Sequence, residues 1–284
     1  MGIKLAIKVA YFNTLENMHG FQIQPNVETI QQCLIKAITK IQLIDVNNFK
    51  LEYAGRTDNG VNALCQVLSF FLADAITQIP ERLLFQINKY LPKNIRCWAY
   101  SAVPKDFNPR YYAVERTYWY IWYESNIENF YFEEVEKSKN LLIGRKNFLN
   151  FSKKDKDVND TIREISSITI KRNKNTIIFI ITGQSFLWQQ CRRIVSHLVQ
   201  IGNSEINIDE TKRLLSDLEN TKKPFPLPAE NLILTDIKYS DINFISENAI
   251  IKKIMQQITS KINIKRNQIS LLTQYLDLLT KCLQ

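Results

Sequence analysis

Glycine and proline are scarce in this chain, which has only 7 glycines and 8 prolines among its 284 residues. So few glycines leave little room for the Gly-rich loops that cradle phosphates, and neither a P-loop nor a dinucleotide fingerprint occurs. The 5 cysteines are widely spaced and form no Cys-x-x-Cys pair. That spacing argues against a disulfide framework or a zinc cage and indicates reduced thiols.

Long apolar runs are also missing. No stretch approaches the roughly 18 uncharged apolar residues that a membrane-spanning helix needs, and the first residues lack the apolar run of a signal peptide. The hydrophobic fraction of 45% and the charged fraction of 23% are ordinary for a globular protein. We therefore expect a cytoplasmic protein without membrane contact.

Acidic residues are outnumbered. The chain has 37 Lys and Arg against 28 Asp and Glu, which gives a formal net charge of +9. Such a surplus suits a polyanionic partner, because each neutralised phosphate releases condensed counterions. Solubility alone would explain the same surplus, so composition leaves these two interpretations about even.

Apolar periodicity predicts strands that alternate with helices in two successive parts of the chain. The expected strands span residues 3–11, 51–54, 66–72, 95–103, 117–123, 162–170, 176–183 and 232–239. The expected helices follow Asn26 as a cap, Pro80 and Asp209 as a cap, and also span residues 141–151 and 187–201. This pattern predicts an α/β (α+β) fold with antiparallel-rich mixed sheets in two halves, residues 1–108 and 109–245.

The remaining residues, 246–284, form an extension that is helical in pattern. Two sets of apolar residues at helical spacing are separated by a basic stretch near Asn263 and Asn267, where we expect a turn. The prediction is a helical hairpin packed on itself or on the body. Its basic connection would be free to touch RNA, or the extension would only stabilise the fold or support a dimer.

The densest group of polar residues between two apolar strands is the loop Arg56-Thr57-Asp58-Asn59-Gly60. Tight-turn chemistry explains Asp-Asn-Gly by itself, since these residues tolerate positive φ angles. Arg56, two residues before Asp58, favours an ionised carboxylate.

Residues 53–63, Tyr-Ala-Gly-Arg-Thr-Asp-Asn-Gly-Val-Asn-Ala, followed by Gln66-Val67, resemble the signature of the tRNA pseudouridine synthase A family. In that family the consensus sequence of the segment is Ala-Gly-Arg-Thr-Asp-x-Gly-Val-His-Ala. Further blocks match in the same order at residues 20–26, 107–110 with 116–120, 186–195 and 228–234. The short acidic middle of the chain looks most like the archaeal branch of the family.

The chain departs from the family pattern at three of these positions. Asn62 stands where His is usual, Cys191 where Val is common, and Asn231 where Gly is common. Any substrate contact that the family makes through that His is therefore in question here.

The resemblance implies that the chain isomerises uridine to pseudouridine in the tRNA anticodon stem-loop, at positions 38–40. An isomerisation needs no redox cofactor, metal ion or nucleotide energy, so we expect no cofactor. Two alternatives remain: a related synthase with a different RNA target, and an RNA-binding module that lacks catalysis.

The resemblance also implies roles for individual residues. Asp58 is the expected catalytic carboxylate, Arg192 its ion-pair partner and Tyr118 the aromatic that stacks on the uracil and removes the C5 proton. Without the resemblance, Arg192 would be a solvated flank residue and Tyr118 an ordinary core aromatic. The expected substrate-binding residues are Arg56, Arg110, Arg116 and Arg193. The partners implied are tRNA and a second copy of the chain in a homodimer, and the two sheets are expected to join beside a basic cleft.

Overall fold

A computed structural model of the chain describes residues 2–13, 18–46, 49–155, 158–218 and 222–282, with side chains up to residue 280. Ten strands form one sheet. They are β1 Lys4–Tyr11, β2 Glu52–Tyr53, β3 Asn62–Phe71, β4 Ile95–Val103, β5 Ala113–Tyr123, β6 Gly144–Asn147, β7 Ile162–Asn173, β8 Thr176–Gly183, β9 Leu232–Tyr239 and β10 Ile245–Ser246. The fold is therefore mixed α/β, as the sequence predicts.

Six α-helices accompany the sheet in the described residues. They are α1 Ile30–Lys40, α2 Leu83–Lys89, α3 Phe132–Leu142, α4 Gln190–Gly202, α5 Asp209–Ser216 and α6 Asn248–Cys282. Helix α4 is strongly amphipathic, and its buried face includes Cys191, Ile194, Val195 and Leu198. That apolar face fixes which way the rest of the helix points, including the two arginines of its first turns.

The strand order is β10-β4-β1-β3-β9-β5-β8-β7-β6, with β2 paired to the side of β3. Almost every neighbouring pair is antiparallel. The exception joins β3 to β9 in parallel, through Asn62 opposite Ile233 and Ala63 opposite Leu234. One continuous sheet thus carries strands from the early and the late part of the chain, and the short parallel joint brings residues near 60 next to residues near 230.

The buried apolar side chains form two clusters. The first includes Leu5, Ile7, Leu34 and Val67, and helices α1 and α2 contribute to it. The second surrounds α4 and includes Phe148, Phe179 and Ile194. Tyr118 on β5 packs against both clusters, so it lies where they meet.

Two helix caps differ from the sequence prediction. Helix α1 is capped by Thr29 rather than Asn26: the Thr29 hydroxyl accepts the Gln32 backbone N–H, and the Gln32 side chain accepts the Thr29 N–H. The spacing Thr-x-x-Gln is the capping-box signature, which is a stronger signal than an isolated Asn. Asp209 is the first residue of α5, and the Oδ1 atom of Asn207 accepts its N–H instead.

The predicted helix at 141–151 is wrong. Helix α3 lies earlier, in the acidic stretch, and is followed by strand β6 and a short 3-10 turn at Leu149–Phe151. Glu133 and Glu134 occupy its first turn, where carboxylates stabilise the helix N-terminus. The helix ends where Ile143 adopts an extended backbone, and Gly144 follows it with a φ of 93°.

The predicted hairpin in the extension is also wrong, because α6 is one helix of 35 residues. Asn263 and Asn267 are poor helix breakers, since Asn costs only about 0.7 kcal/mol relative to Ala, and the helix contains neither Gly nor Pro. Ile250 and Ile254 are buried on the first core cluster. From Thr259 to Thr280 every residue is exposed. No described helix combines the length and the apolarity that crossing a membrane requires.

Candidate active site

Hydrogen bonds from neighbouring elements hold the loop between β2 and β3 just before Asp58, the expected catalytic residue. The Tyr11 hydroxyl lies 2.7 Å from Thr57 Oγ1, and the Phe21 backbone N–H donates to the Thr57 carbonyl at 3.2 Å. Gln66 is fully buried on β3, and its Nε2 donates to the Gly55 carbonyl at 2.8 Å. The residues that lead into Asp58 are therefore anchored to β1, to Phe21 and to β3.

Asp58 and Arg192 form an ion pair. Arg192 Nη1 lies 3.1 Å from Asp58 Oδ2, and the side chains are 12% and 29% exposed for Arg192 and Asp58 respectively. Arg192 Nε also donates to the Leu227 carbonyl, at 2.6 Å. The pairing expected from the resemblance is thus present, in a place where solvent still reaches the carboxylate.

Residues 224–230, which we call the proline segment, run past this pair and are pinned along their length. Arg193 Nη1 donates to the Pro224 carbonyl at 2.5 Å, and the Tyr120 hydroxyl donates to the Pro228 carbonyl at 3.0 Å. Asn62 Nδ2 donates to the Glu230 carbonyl at 2.7 Å. Asn62, in the place of the usual family His, therefore ties the Asp58 loop to the proline segment.

Tyr118 lies partly exposed on β5. Its ring meets Phe186 edge-on, with ring centroids 5.3 Å apart and planes at 87°. Burial is the main cause that raises the pKa of the Tyr118 phenol well above its usual range, and the negative charge of Asp58 contributes in the same direction. The hydroxyl is therefore protonated at neutral pH. Tyr118 and Asp58 are close enough to interact electrostatically.

Arg116 is only 8% exposed and contacts protein rather than solvent. Its Nη2 donates to the Ala54 carbonyl at 3.0 Å and to the Arg110 carbonyl at 2.8 Å, and its Nη1 donates to the Gln184 carbonyl. These carbonyls belong to three segments: the entry to the Asp58 loop, the turn before β5, and the connection that leads to α4. One buried guanidinium thus fastens together the parts that carry Asp58 and Arg192.

The other arginines named from the sequence lie nearer to solvent. Arg56 and Arg110 are exposed, whereas Arg193 is partly buried beside the proline segment. Burial and the neighbouring positive charge of Arg192 both lower the pKa of Arg193. Among the described residues, no cluster of three or more His, Cys, Asp or Glu side chains could hold a metal ion.

The chain is similar to known proteins over most of its length. A family model described as tRNA pseudouridine synthase matches residues 140–240. The chain is 36% identical to tRNA pseudouridine synthase A of Archaeoglobus fulgidus over 260 residues, which cover 92% of each chain. It is 34% identical to the Pyrococcus furiosus protein of the same name, over 91% of this chain and 92% of that one.

A third archaeal relative is similar over a somewhat shorter part of the chain. The Methanothermobacter thermautotrophicus tRNA pseudouridine synthase A is 37% identical over 83% of this chain and 81% of its own. Among solved structures, a chain from a Cbf5-Nop10-Gar1 complex gives a TM-score of 0.33 at 11% identity, over 69% of this chain and 44% of that one. That structural similarity is too low to bear on function. The three archaeal relatives show that the chain belongs to the tRNA pseudouridine synthase A family and is a tRNA pseudouridine synthase, an isomerase.

Proposed function

We propose that this enzyme isomerises uridine at positions 38–40 of the tRNA anticodon stem-loop, in the cytoplasm, with Asp58 as its nucleophile. The observation that carries the proposal is the Asp58–Arg192 pair, at 3.1 Å on an anchored loop. A carboxylate must be ionised to attack, and a nearby guanidinium favours the ionised form. Because Asp58 is still partly exposed, a base extruded from the RNA can reach it.

The reaction exchanges bonds within one nucleotide. The bond from ribose C1′ to uracil N1 breaks, the base turns, and a bond from C1′ to C5 forms. N1 gains a proton and C5 loses one, so the atoms balance without any cofactor. Asp58 either attacks the ribose at C1′ or adds to the uracil ring, and both routes use the same carboxylate.

Tyr118 is proposed to stack on the uracil and to handle the C5 proton. Because burial raises the pKa of its phenol, the hydroxyl is protonated before the reaction. It can therefore take up the C5 proton only while it passes its own proton on. The partly exposed ring, braced edge-on by Phe186, gives the flat contact that a pyrimidine needs.

Arg56, Arg110 and Arg193 are proposed to contact the RNA. Arg56 and Arg110 are exposed, as a phosphate contact requires, and Arg56 is two residues from Asp58. We place these arginines on a basic cleft between the halves 1–108 and 109–245. Arg116 also belongs to the expected set, but its burial and three carbonyl contacts support positioning of the Asp58 loop instead.

Arg116→Gln is expected to lower the free energy of unfolding by roughly 2–4 kcal/mol, because each buried carbonyl left without a donor costs about 1–3 kcal/mol. It should also lower kcat more than it raises KM, since the Asp58 loop loosens while the RNA contacts remain. Thermal unfolding and steady-state kinetics measure both effects. The matched control is the exposed Arg110→Gln, which should raise KM for tRNA without changing stability. Equal losses of stability in the two variants would contradict the positioning role.

Isomerisation is measured directly with tRNA whose uridines carry tritium at C5. Because C5 loses its hydrogen when it bonds to C1′, the enzyme should release tritium to water in step with pseudouridine formation. An RNA-binding module without catalysis would bind the same tRNA and release none. A synthase for a different RNA would release none from this tRNA, whereas one that modifies another uridine of the same tRNA would also release tritium and is distinguished by mapping the modified position.

We also propose a homodimer, and helix α6 supplies the observation that supports it. Apolar side chains that are 44–68% exposed recur along its free part at the alternating spacing of a coiled coil: Ile262, Ile269, Leu272, Leu276 and Leu279. Lys265 is the one charged residue at a core position of this stripe, between Ile262 and Ile269. A second α6 is the partner that such a stripe fits.

The positive charges on α6 favour an antiparallel pair. In a parallel pair Lys265 would face its own copy and Lys261 would face Arg266, so like charges would meet. In an antiparallel pair centred near Asn267, Lys265 of one copy faces Ile269 of the other. The aliphatic part of the Lys265 side chain can then pack against Ile269 while its ammonium group stays in water. The charge pattern therefore selects one arrangement of the two copies.

Leu272→Asp with Leu276→Asp is expected to convert a dimer into a monomer, because the stripe would then carry buried carboxylates. Light scattering should give twice the chain mass of 33.3 kDa for the wild type and that mass once for the variant. Gln274→Asp, on the opposite face of the same helix, is the control and should stay dimeric. A monomeric wild type refutes the dimer, and a dimeric double variant refutes the role of α6.

A further inference from the structure

Phe225 is the most exposed large apolar side chain among the described residues, at 83%. It stands in the proline segment between Pro224, which is buried, and Pro226. The two prolines restrict the backbone on either side of it. A solvent-exposed aromatic ring on a restricted backbone has little conformational freedom left to lose on binding. Such a ring is well suited to recognition.

The backbone around Phe225 is also clamped by charged side chains. Arg193 Nη1 donates to the Pro224 carbonyl at 2.5 Å and Arg192 Nε donates to the Leu227 carbonyl at 2.6 Å. Lys223 Nζ donates to the Leu149 carbonyl at 2.9 Å. The residues before and after Phe225 are therefore fixed, while the ring itself is left free.

This ring lies close to the reacting groups. A chain spans at most about 3.6 Å per residue, so the Phe225 backbone is within about 7 Å of the Leu227 backbone. The Leu227 carbonyl contacts the same guanidinium that pairs with Asp58. Phe225 is thus connected to Asp58 through the Leu227 backbone and the Arg192 guanidinium, on the segment that borders the ion pair.

Positive charge accumulates beside the ring. Burial, together with the positive charges of Arg193 and Lys154, lowers the pKa of Lys223. Nearby, Lys153 Nζ sits 4.1 Å from the centre of the half-exposed Trp188 ring. Cations crowded together in this way are stabilised by an anion, and cations interleaved with exposed aromatics are typical of surfaces that bind unpaired nucleotides.

We propose that Phe225 is a stacking platform for a nucleobase of the tRNA that flanks the target uridine, with Arg193 and Lys223 beside the adjoining phosphate. The inference rests on the proposed function. When the uridine is extruded, its neighbour loses a stacking partner, and the Phe225 ring replaces it. An apolar protein partner would instead bury the surrounding cations without compensation.

Phe225→Ala is expected to lower kcat/KM by about 5- to 150-fold, the range found when an aromatic platform for one base is removed. Phe225→Trp should keep the wild-type value because stacking needs only a flat ring, and Phe225→Leu should not. Tyr123→Ala, which removes a 68% exposed ring from the last residue of β5, should leave kcat/KM unchanged. Since Phe225 is exposed, all these variants should unfold at the wild-type temperature.

Single abasic nucleotides placed in turn along the anticodon arm identify the base. At one position beside the target, the abasic tRNA should slow the wild type as much as Phe225→Ala does, and should slow the variant no further. A Phe225→Ala enzyme within about twofold of wild type, or losses that add at every position, would overturn the proposal. Activity that depends on Asp58 would survive that outcome, so the proposed function would stand separately.

Discussion

Asp58→Asn is expected to reduce turnover by at least about 10⁴-fold while tRNA affinity changes less than about threefold. The amide keeps the volume of the carboxylate and can still accept hydrogen bonds, but it cannot act as the nucleophile. Affinity depends on many phosphate contacts spread over the surface, and the substitution alters none of them. Single-turnover kinetics and tRNA binding, measured on the same preparation, separate the two quantities.

The matched control is Asp241→Asn, which replaces an exposed aspartate that already adopts a positive φ of 58°. Asn tolerates that conformation well, so stability and turnover should both be unchanged. If Asp58→Asn turned over at a rate near that of the control, another residue would perform the chemistry. If it lost tRNA binding as well, Asp58 would have a structural role that its anchored loop does not suggest.

Arg192→Gln should lower kcat/KM by on the order of 100-fold. Removing one partner of a buried ion pair costs about 3–5 kcal/mol, and the partial exposure of Asp58 reduces this figure. The change also removes the donor to the Leu227 carbonyl, so part of the proline segment loosens with it. Arg192→Lys keeps the charge but not the forked geometry that serves both partners, so an intermediate value is expected.

Arg213→Gln provides the comparison for Arg192. Arg213 pairs with Glu210 on the surface of α5, where an exposed ion pair contributes about 0–1 kcal/mol, so activity should not change. Combining Asp58→Asn with Arg192→Gln should give no larger loss of turnover than Asp58→Asn alone, because the two residues act as one unit. Additive losses in the double variant would show that Arg192 works independently of Asp58.

Much of the sheet follows from the sequence because its strands alternate strongly. The sequence predicts strands β4 and β9 with the bounds that the structure has, since each has a regular apolar face and clear turn residues at its ends. Helix α4 was predicted from its apolar stripe. Helix α3 and the continuous α6 differ from the prediction because acidic residues stabilise the first turn of α3 and two asparagines do not break α6.

The site itself depends on contacts that no local pattern reveals. Asp58 and Arg192 are 134 residues apart in sequence and meet only because β3 and β9 join in parallel. The family resemblance supplied that pair, whereas periodicity alone would have left Arg192 on a solvated flank. The burial of Arg116 and the contact of Asn62 with Glu230 arise from the same joint, and nothing in their sequence surroundings distinguishes them from surface residues.

The most direct test of the account is site-resolved mapping of pseudouridine in a tRNA transcript incubated with the purified enzyme, in buffer without added metal or cofactor. The transcript should carry uridines at positions 38–40 and elsewhere in the anticodon arm. Pseudouridine should form at positions 38–40 with the wild type and not with Asp58→Asn, and the uridines at the other positions should remain unchanged. Pseudouridine at other positions only, or equal conversion by Asp58→Asn, would contradict it.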